Sequence, residues 1–301
     1  MFLFDPVDGR GGDHARPTSP ARRTASDGPV PSEPVDLAQQ SHWDGLYADA
    51  KAAPAYRRDW IPRHYDDRTL EDMLLTSIRR QRAASVLEVG CGNSVWLPHL
   101  ARVTGAAVAG LDYSPLGCEL VRRNLAIGGV TGPILCGSVF EADPHDIGRH
   151  DLVFSLGLVE HFADIDGVLR ALLRFVKPGG MLLTEIPNMP SIHGLLSWVW
   201  QPDILRKHQR IDRRQLIEAH RRIGLRDVEG RYLGAVSINV VGWEIESRWK
   251  IGSKTVPRLI RRADRLAQRA VLRRVRRFGG VAPLAPFISV TGVVPVDVTP
   301  A

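Results

Sequence analysis

Short apolar runs alternate with amphipathic stretches from residue 85 to the end of the chain. Residues 85–89, 106–111, 133–136, 152–156 and 181–186 are brief and rich in Val, Leu and Ile, and predict strands. Between them, 95–103, 114–126 and 166–176 carry helical periodicity. Ser114 is placed to cap the second of these helices, with Pro115 at its first position, and the Lys177-Pro178-Gly179-Gly180 run stops the third. A further helix over about 212–222 is punctuated by Gly224, and strands follow at 225–233 and 287–294. Strand–helix alternation implies βαβ units, and strands apolar along their whole length are covered on both faces. The predicted fold is α/β: a Rossmann-like, doubly wound sheet of seven strands, mostly parallel.

The flanking segments read differently. Residues 1–36 contain six prolines and four glycines and predict a disordered leader. Residues 37–83 set Trp43, Tyr47, Tyr56, Trp60 and Met73 among charges, which suggests two or three short helices forming an N-terminal cap. Residues 84–301 form the main domain, with a basic helical insertion at 236–285 ahead of the last strand. Charge sharpens this division. Between Arg248 and Arg277, 12 Arg and Lys accompany only one acid, Asp264, so this segment carries +11 and the remainder −4 of the net +7. Over 258–278 the apolar residues recur at spacings near three and four, giving an amphipathic helix with an Arg-rich face. Such a helix could rest on an anionic membrane surface, bind nucleic acid, or dock on its own acidic domain or on a second copy as a homodimer. Three cysteines without a CxxC pair, no export signal and no membrane-length apolar run fit a cytoplasmic protein, with peripheral membrane contact as an extension.

The first strand leads into Glu88-Val89-Gly90-Cys91-Gly92-Asn93-Ser94. Glycines there let the backbone turn at positive φ and let a ligand approach closely. The second strand ends in Leu111-Asp112-Tyr113-Ser114, and an acid at that position can accept hydrogen bonds from both hydroxyls of a ribose. This pairing serves NAD as well as other adenosyl ligands, but the third glycine of a dinucleotide fingerprint is missing.

Together with Asp151-Leu152-Val153-Phe154-Ser155-Leu156-Gly157-Leu158-Val159-Glu160-His161-Phe162 and the Lys-Pro-Gly-Gly run, these motifs resemble the class I S-adenosylmethionine (SAM) dependent methyltransferases. The style is closest to the small-molecule enzymes of ubiquinone and menaquinone biosynthesis, and the resemblance covers about residues 84–235. It implies SAM as cofactor. Glu88, Gly90, Cys91 and Gly92 would line its methionine part, Asp112 would hold the ribose, and Tyr113 would pack near the adenine. The family's usual Gly-Asp is here Gly137-Ser138, so backbone groups of Ser138 and Val139 would replace the acid at the adenine. Ser155 and Gly157 would border the sulfonium. The helix bearing Trp43 and Tyr47, four apart on one face, resembles the element that closes over the cofactor.

A hydroxyl acceptor needs a base. Glu160 and His161 are candidates, as is His208 just before the 212–222 helix, with His193 after the fifth strand as a further one; the alternative for His193 and His208 is an exposed loop. The motifs require no metal. The apolar run 195–200 is either a lid over a lipophilic acceptor or ordinary core. The expected reaction is methyl transfer to an O or N atom of a small, aromatic or lipophilic metabolite of phenol, quinol or polyketide type, as in secondary metabolism. Nucleic-acid methylation is the alternative, disfavoured because no Asn-Pro-Pro-Tyr type motif follows the fourth strand. SAM binding without turnover is another.

Overall fold

A computed structural model describes residues 34–49, 55–62, 64–200, 202–235, 262, 266, 280 and 282–296. The basic stretch 258–278 therefore lies outside the described residues, apart from Arg262 and Leu266, as does nearly all of the 1–36 leader. The leader's last three residues are placed, however. Asp36 bridges to Phe162, and Ala163 donates its N–H to the Val35 carbonyl at 3.0 Å, so order begins earlier than the composition predicts.

Seven strands form one sheet in the order β3-β2-β1-β4-β5-β7-β6. They are β1 Ser85–Val89, β2 Ala107–Asp112, β3 Ile134–Cys136, β4 His150–Leu156, β5 Val176–Pro187, β6 Arg226–Leu233 and β7 Phe287–Val293. All neighbouring pairs are parallel except those of β7, which runs antiparallel between β5 and β6. Alternate residues of each strand feed opposite faces. Val86, Val108, Leu152 and Phe154 join one core with α2 (Tyr65–Gln81), α3 (Trp96–Thr104) and α4 (Pro115–Gly128). Leu87, Leu111, Val153 and Leu182 join the other with α6 (Ile165–Leu173) and α9 (Arg213–Arg222), and the shorter α5 (Pro144–Ile147), α7 (Ile192–Trp200) and α8 (Pro202–Lys207) complete the helix order among the described residues. Both faces are covered, which is why the strands lack a polar alternation.

Local chemistry sets the helix ends. The Ser114 hydroxyl accepts the Gly117 N–H, Pro115 opens α4, and Gly129 closes it in the left-handed region. Asp212 and Gln215 cap α9 reciprocally. Two expectations are corrected. The third helix stops at Leu173 rather than 176, because Val176 already pairs with His150. The Lys177–Gly180 run is thus the irregular start of β5, not a helix stop: its pairing with β4 shifts register there, and on the other side Gly179 N–H and Gly180 C=O both bond to Val294. Among the described residues of 37–83 there are two helices, α1 (Gln40–Asp49) and the 17-residue α2. Only α1 sits at the carboxyl ends of the strands, since α2 packs on the sheet face. Among the described residues no helix is long and apolar enough to cross a membrane.

At the opposite, amino end of the sheet, Asp151 accepts the N–H groups of Ala84 and Ser85, the Ser85 hydroxyl and the Lys177 ammonium, all within 3.0 Å. It joins the starts of β1, β4 and β5. Burial alone would raise the Asp151 carboxyl, but Lys177 and Ser85 hold it below its ordinary value. Its stabilisation is therefore complete above the ordinary carboxylate pKa and is lost as pH falls through the depressed one. Asp151→Ala is expected to cost about 2 kcal/mol in urea unfolding at neutral pH, a typical cost for hydrogen bonds to a charged group, and the gap to the unmodified protein should narrow on acidification.

Candidate active site

Strand β1 turns to β2 on one side and β4 departs on the other, so the sheet reverses direction between β1 and β4. Ligands of open α/β sheets bind beyond the carboxyl ends of the strands at such a point. There lies a cavity of about 150 Å³, walled by Val89 and Gly90 from β1, Leu111–Tyr113 from β2, Gly137–Phe140 after β3, Leu156–Leu158 and Phe162 after β4, and Trp43 and Tyr47 from α1. An open depression between α6 and α9, near Arg210, Arg214 and Arg222, sits at no strand end and contains no glycine turn.

The turn after β1 is fixed by its glycines. Gly90 and Gly92 have φ of +77° and +33°, where a side chain is strained. A Cβ on Gly90 would stand 3.3 Å from Leu158, closing the cavity between β1 and β4. Gly92 donates its N–H to Asp112 Oδ2 at 2.7 Å, and Ser114 N–H bonds Oδ1 at 2.8 Å. Burial pushes the Asp112 carboxyl up, opposed by those two N–H groups. Each oxygen retains a second lone pair for a ligand hydroxyl.

Of the predicted cofactor contacts, Gly90, Asp112, Tyr113, Ser138 and Val139 line the cavity together. Glu88 and Cys91 stand behind the glycine turn: Ser94 hydroxyl donates to Glu88 at 2.5 Å, and Cys91 is buried against Gly110. Burial raises the Glu88 carboxyl to about 8, with the Ser94 bond opposing. Ser138 accepts the Phe140 N–H on its own hydroxyl at 3.3 Å, which orders the turn after β3. Ser155 is fully buried, and its hydroxyl has no hydrogen-bond partner among the described residues.

Helix α1 closes the cavity and is fastened at both sides. Ser114 hydroxyl donates to Asp44 at 2.5 Å, and Gln40 amide to the Tyr113 carbonyl at 3.1 Å. Tyr113 hydroxyl in turn donates to Asp36 at 2.9 Å, just ahead of α1, and Leu37 N–H bonds the His161 carbonyl. Tyr47 lies over Gly92 and Gly117, and Trp43 meets His161 edge to face at 5.2 Å.

The three candidate proton carriers are brought together. His161 Nε2 lies 3.7 Å and His208 Nε2 4.0 Å from Glu160 Oε1, and the two imidazoles are 4.4 Å apart. The ligating atoms of all three fall within 4.8 Å, a donor set a divalent cation could also use. The His161 Nδ1–H bonds the Lys207 carbonyl at 2.7 Å, which turns Nε2 and its lone pair toward Glu160. Gln209 N–H holds the Glu160 carbonyl, and its side-chain amide those of Phe162 and Ala163, so 207–209 is clamped to the segment after β4. Burial, then the neighbouring His208, pushes His161 down to about 3, far from the 6.5 that made it attractive as a base. Burial pushes Glu160 up to about 8.

His193 is buried in α7 (Ile192–Trp200) beside Ser191, and His208 is largely covered; neither is an exposed loop residue. Leu195 and Trp198, at 60% and 65% exposure, belong to neither a closed lid nor the core of the described residues. Sequence reasoning passed over Glu185. It is an acid inside the apolar run Met181-Leu182-Leu183-Thr184-Glu185-Ile186, buried to 5% exposure, and that misplacement was its signal.

The methyltransferase-domain family profile matches residues 58–229, more than half of the chain. Ubiquinone biosynthesis O-methyltransferase of Erwinia tasmaniensis is 29% identical over 166 residues, covering 54% of this chain and 63% of that protein. The protein of the same description from Escherichia coli O9:H4 is 31% identical over 121 residues, covering 40% and 50%. The chain thus spans between half and two thirds of the length of these curated relatives. Two solved structures share the fold. Plantazolicin methyltransferase BpumL in complex with S-adenosylhomocysteine (SAH) superimposes with TM-score 0.51 at 14% identity, over 86% of this chain and 95% of that one. Phosphoethanolamine N-methyltransferase 2 of Haemonchus contortus in complex with SAM gives 0.50 at 16% identity, over 86% and 59%. The chain belongs to this methyltransferase family, as a class I member with SAM as its cofactor.

The raised Glu160 pKa has a measurable consequence. The folded state keeps a proton that the unfolded chain releases near pH 4.5, so stability falls as pH rises toward 8. Glu160→Gln removes that titration. Its melting temperature relative to the unmodified protein is expected to climb steadily between pH 5 and 8 in calorimetric scans.

Proposed function

We propose that this member of the family transfers a methyl group from SAM to an O or N atom of a small molecule. The observation that carries the reading is the cleft shared by Gly90 and Asp112, with the glycine turn tied to the carboxylate by the 2.7 Å bond from Gly92 N–H. The residues fit the cofactor. Gly90 leaves open a wall that a Cβ would narrow against Leu158, Asp112 offers lone pairs to ribose hydroxyls, and the Ser155 hydroxyl lies buried with capacity to bond. When bound, SAM supplies an electrophilic methyl on a positively charged sulfur.

The chain's own residues do the remainder. Asp112 binds the ribose, and the backbone of Ser138 and Val139 meets the adenine, between Tyr113 and the edge-to-face pair Phe140–Phe162. Glu88 and Cys91 shape the glycine turn from behind, toward the methionine end. Trp43 and Tyr47 exclude water, which keeps the acceptor at near-attack distance undisturbed. Glu160 is the better proton carrier of the cluster, because its pKa lies near neutrality while that of His161 does not. His161 and His208 stand beside it, 3.7 and 4.0 Å from its Oε1.

The direct test incubates the protein with methyl-labelled SAM and a panel of aromatic and lipophilic hydroxyl and amine acceptors. Label in at least one acceptor is the expected result; SAM binding without any transfer would point to a protein without turnover. His161→Ala and His208→Ala are expected to lower kcat by 10-fold or more, on the order of a general acid–base contribution, while SAH affinity by calorimetry stays within about 2-fold. Unchanged kcat in both variants would remove the histidines from the reaction.

A further inference from the structure

Two of the three cysteines meet behind Asp112. Cys118, in the first turns of α4, is fully buried, and Cys136, the last residue of β3, is exposed. Parallel pairing sets Cys136 directly across from Asp112. The Asp112 carbonyl accepts the Gly137 N–H at 2.9 Å and the Cys118 thiol at 3.3 Å. Cys118 Sγ also lies 3.9 Å from the Leu135 carbonyl, so it touches the backbone of both β2 and β3. There the two thiols are in hydrogen-bonding contact. Asp112 and Arg122 are the charged groups that face the buried thiol, and Arg122 is held in place by the Ile134 carbonyl at 2.9 Å. The third cysteine, Cys91, is buried with its sulfur against Gly110.

A disulfide needs two sulfurs that can close to about 2.05 Å without moving the backbone far. Thiols already in contact, one on a helix and one on the neighbouring strand, meet that need. Exposure then divides the roles. Cys136 is the thiol that a dissolved oxidant reaches. Cys118 is shielded from solvent, and burial, followed by its contact with Cys136, pushes its thiol up, so it keeps its proton until a partner sulfur is activated beside it. An exposed cysteine poised next to a second one is the arrangement of an oxidation-sensitive site with its resolving thiol. Both residues adjoin the cofactor cavity. Gly137, next after Cys136, begins the wall that runs to Phe140, and α4 begins at Ser114, whose N–H bonds the Asp112 carboxylate.

We propose that Cys118 and Cys136 are an oxidative modification site, joined by hydrogen peroxide into a disulfide that weakens cofactor binding. The Cys136 sulfur, as thiolate, attacks one peroxide oxygen. The S–O bond forms as the O–O bond breaks, the released hydroxide takes up a proton as water, and Cys136 becomes a sulfenic acid. The Cys118 sulfur then attacks the Cys136 sulfur. The S–S bond forms as the S–O bond breaks, and the departing hydroxyl takes the Cys118 proton and leaves as a second water. Two thiols and one peroxide thus give one disulfide and two waters, the sulfurs losing the two electrons that the peroxide oxygens gain. The new bond ends the donation from Cys118 to the Asp112 carbonyl. It also draws Cys136 inward, and with it the Gly137–Val139 segment that walls the cavity. The cross-link stands on the cysteines alone, while its effect on affinity rests on the cofactor reading above.

The test treats the full reduced chain with hydrogen peroxide, stops the reaction with catalase, alkylates the unfolded product and maps its peptides by mass spectrometry. The expected result is a Cys118–Cys136 cross-link lighter by two hydrogens, with Cys91 alkylated, and its loss on adding dithiothreitol. Cys136→Ser, a change at an exposed position, should form no cross-link. Cys118→Ser should leave a sulfenic acid on Cys136 that dimedone captures. In calorimetric titrations SAH affinity should be about 5-fold or more weaker for the oxidised chain than for the reduced one, the lower end of ordinary coupling between sites. Dithiothreitol should restore it, and Cys136→Ser should bind SAH equally before and after peroxide. Cys118 still open to alkylation after peroxide, a cross-link that includes Cys91, or a cross-linked chain with the SAH affinity of the reduced one would each overturn the proposal. A reduced chain that binds no SAH would instead overturn the cofactor reading, and the peptide map would still decide the cross-link.

Discussion

One hydrogen bond organises the site: the Gly92 N–H donated to the Asp112 carboxylate across the ends of β1 and β2. It forms only because residue 92 adopts a backbone conformation that L side chains avoid, and because parallel register sets the ends of the two strands side by side. The same carboxylate holds the N–H of Ser114, whose hydroxyl caps α4 and also bonds Asp44 on α1. Strand end, helix start and closing helix are therefore parts of one polar chain. The covering element is positioned by the same carboxylate that is proposed to bind the ribose.

The opposite wall follows a different logic. After β4 the chain passes through Gly157 into Glu160-His161, and this segment is clamped by 207–209 and by the strand-like contact of Asp36 with Phe162. The backbone of this segment is bonded at several points, while carboxyl oxygens of Glu160 and Glu185 have no hydrogen-bond partner among the described residues. Buried carboxyls left without partners carry a larger electrostatic cost than the lone hydroxyls of Ser155 and Ser289. Such unmet demand is characteristic of sites that do chemistry.

Much of the fold was legible in the sequence because the strands are covered on both faces and so are written as apolar runs. Ser114-Pro115 marked a helix start for a local reason, the hydroxyl cap and the fixed φ of proline, and the structure uses both. The Lys177–Gly180 run misled because Pro and Gly halt a helix and start a bulged strand with equal ease; only pairing with β4 and with Val294 decides between them. Gly90 and Asp112 were readable as cavity residues, whereas Cys91 and Glu88 alternate to the back of the turn, a matter of side-chain direction that motif spacing does not specify. The pKa of His161 was beyond the sequence, since it depends on the burial and on the His208 neighbour that the 207–209 clamp creates. Glu185 was visible as an acid in an apolar run, yet the proximity of Glu160, 25 residues earlier in the chain, arises only in the fold.

The account stands on Asp112 and the glycine turn acting as one adenosyl-binding unit. Calorimetric titration of SAH into the unmodified chain and into Asp112→Ala measures that most directly. One SAH per chain in the unmodified protein, and affinity reduced at least 10-fold by the substitution, is the expected result. Equal affinity in the two proteins would contradict the account, as would no heat of binding in either.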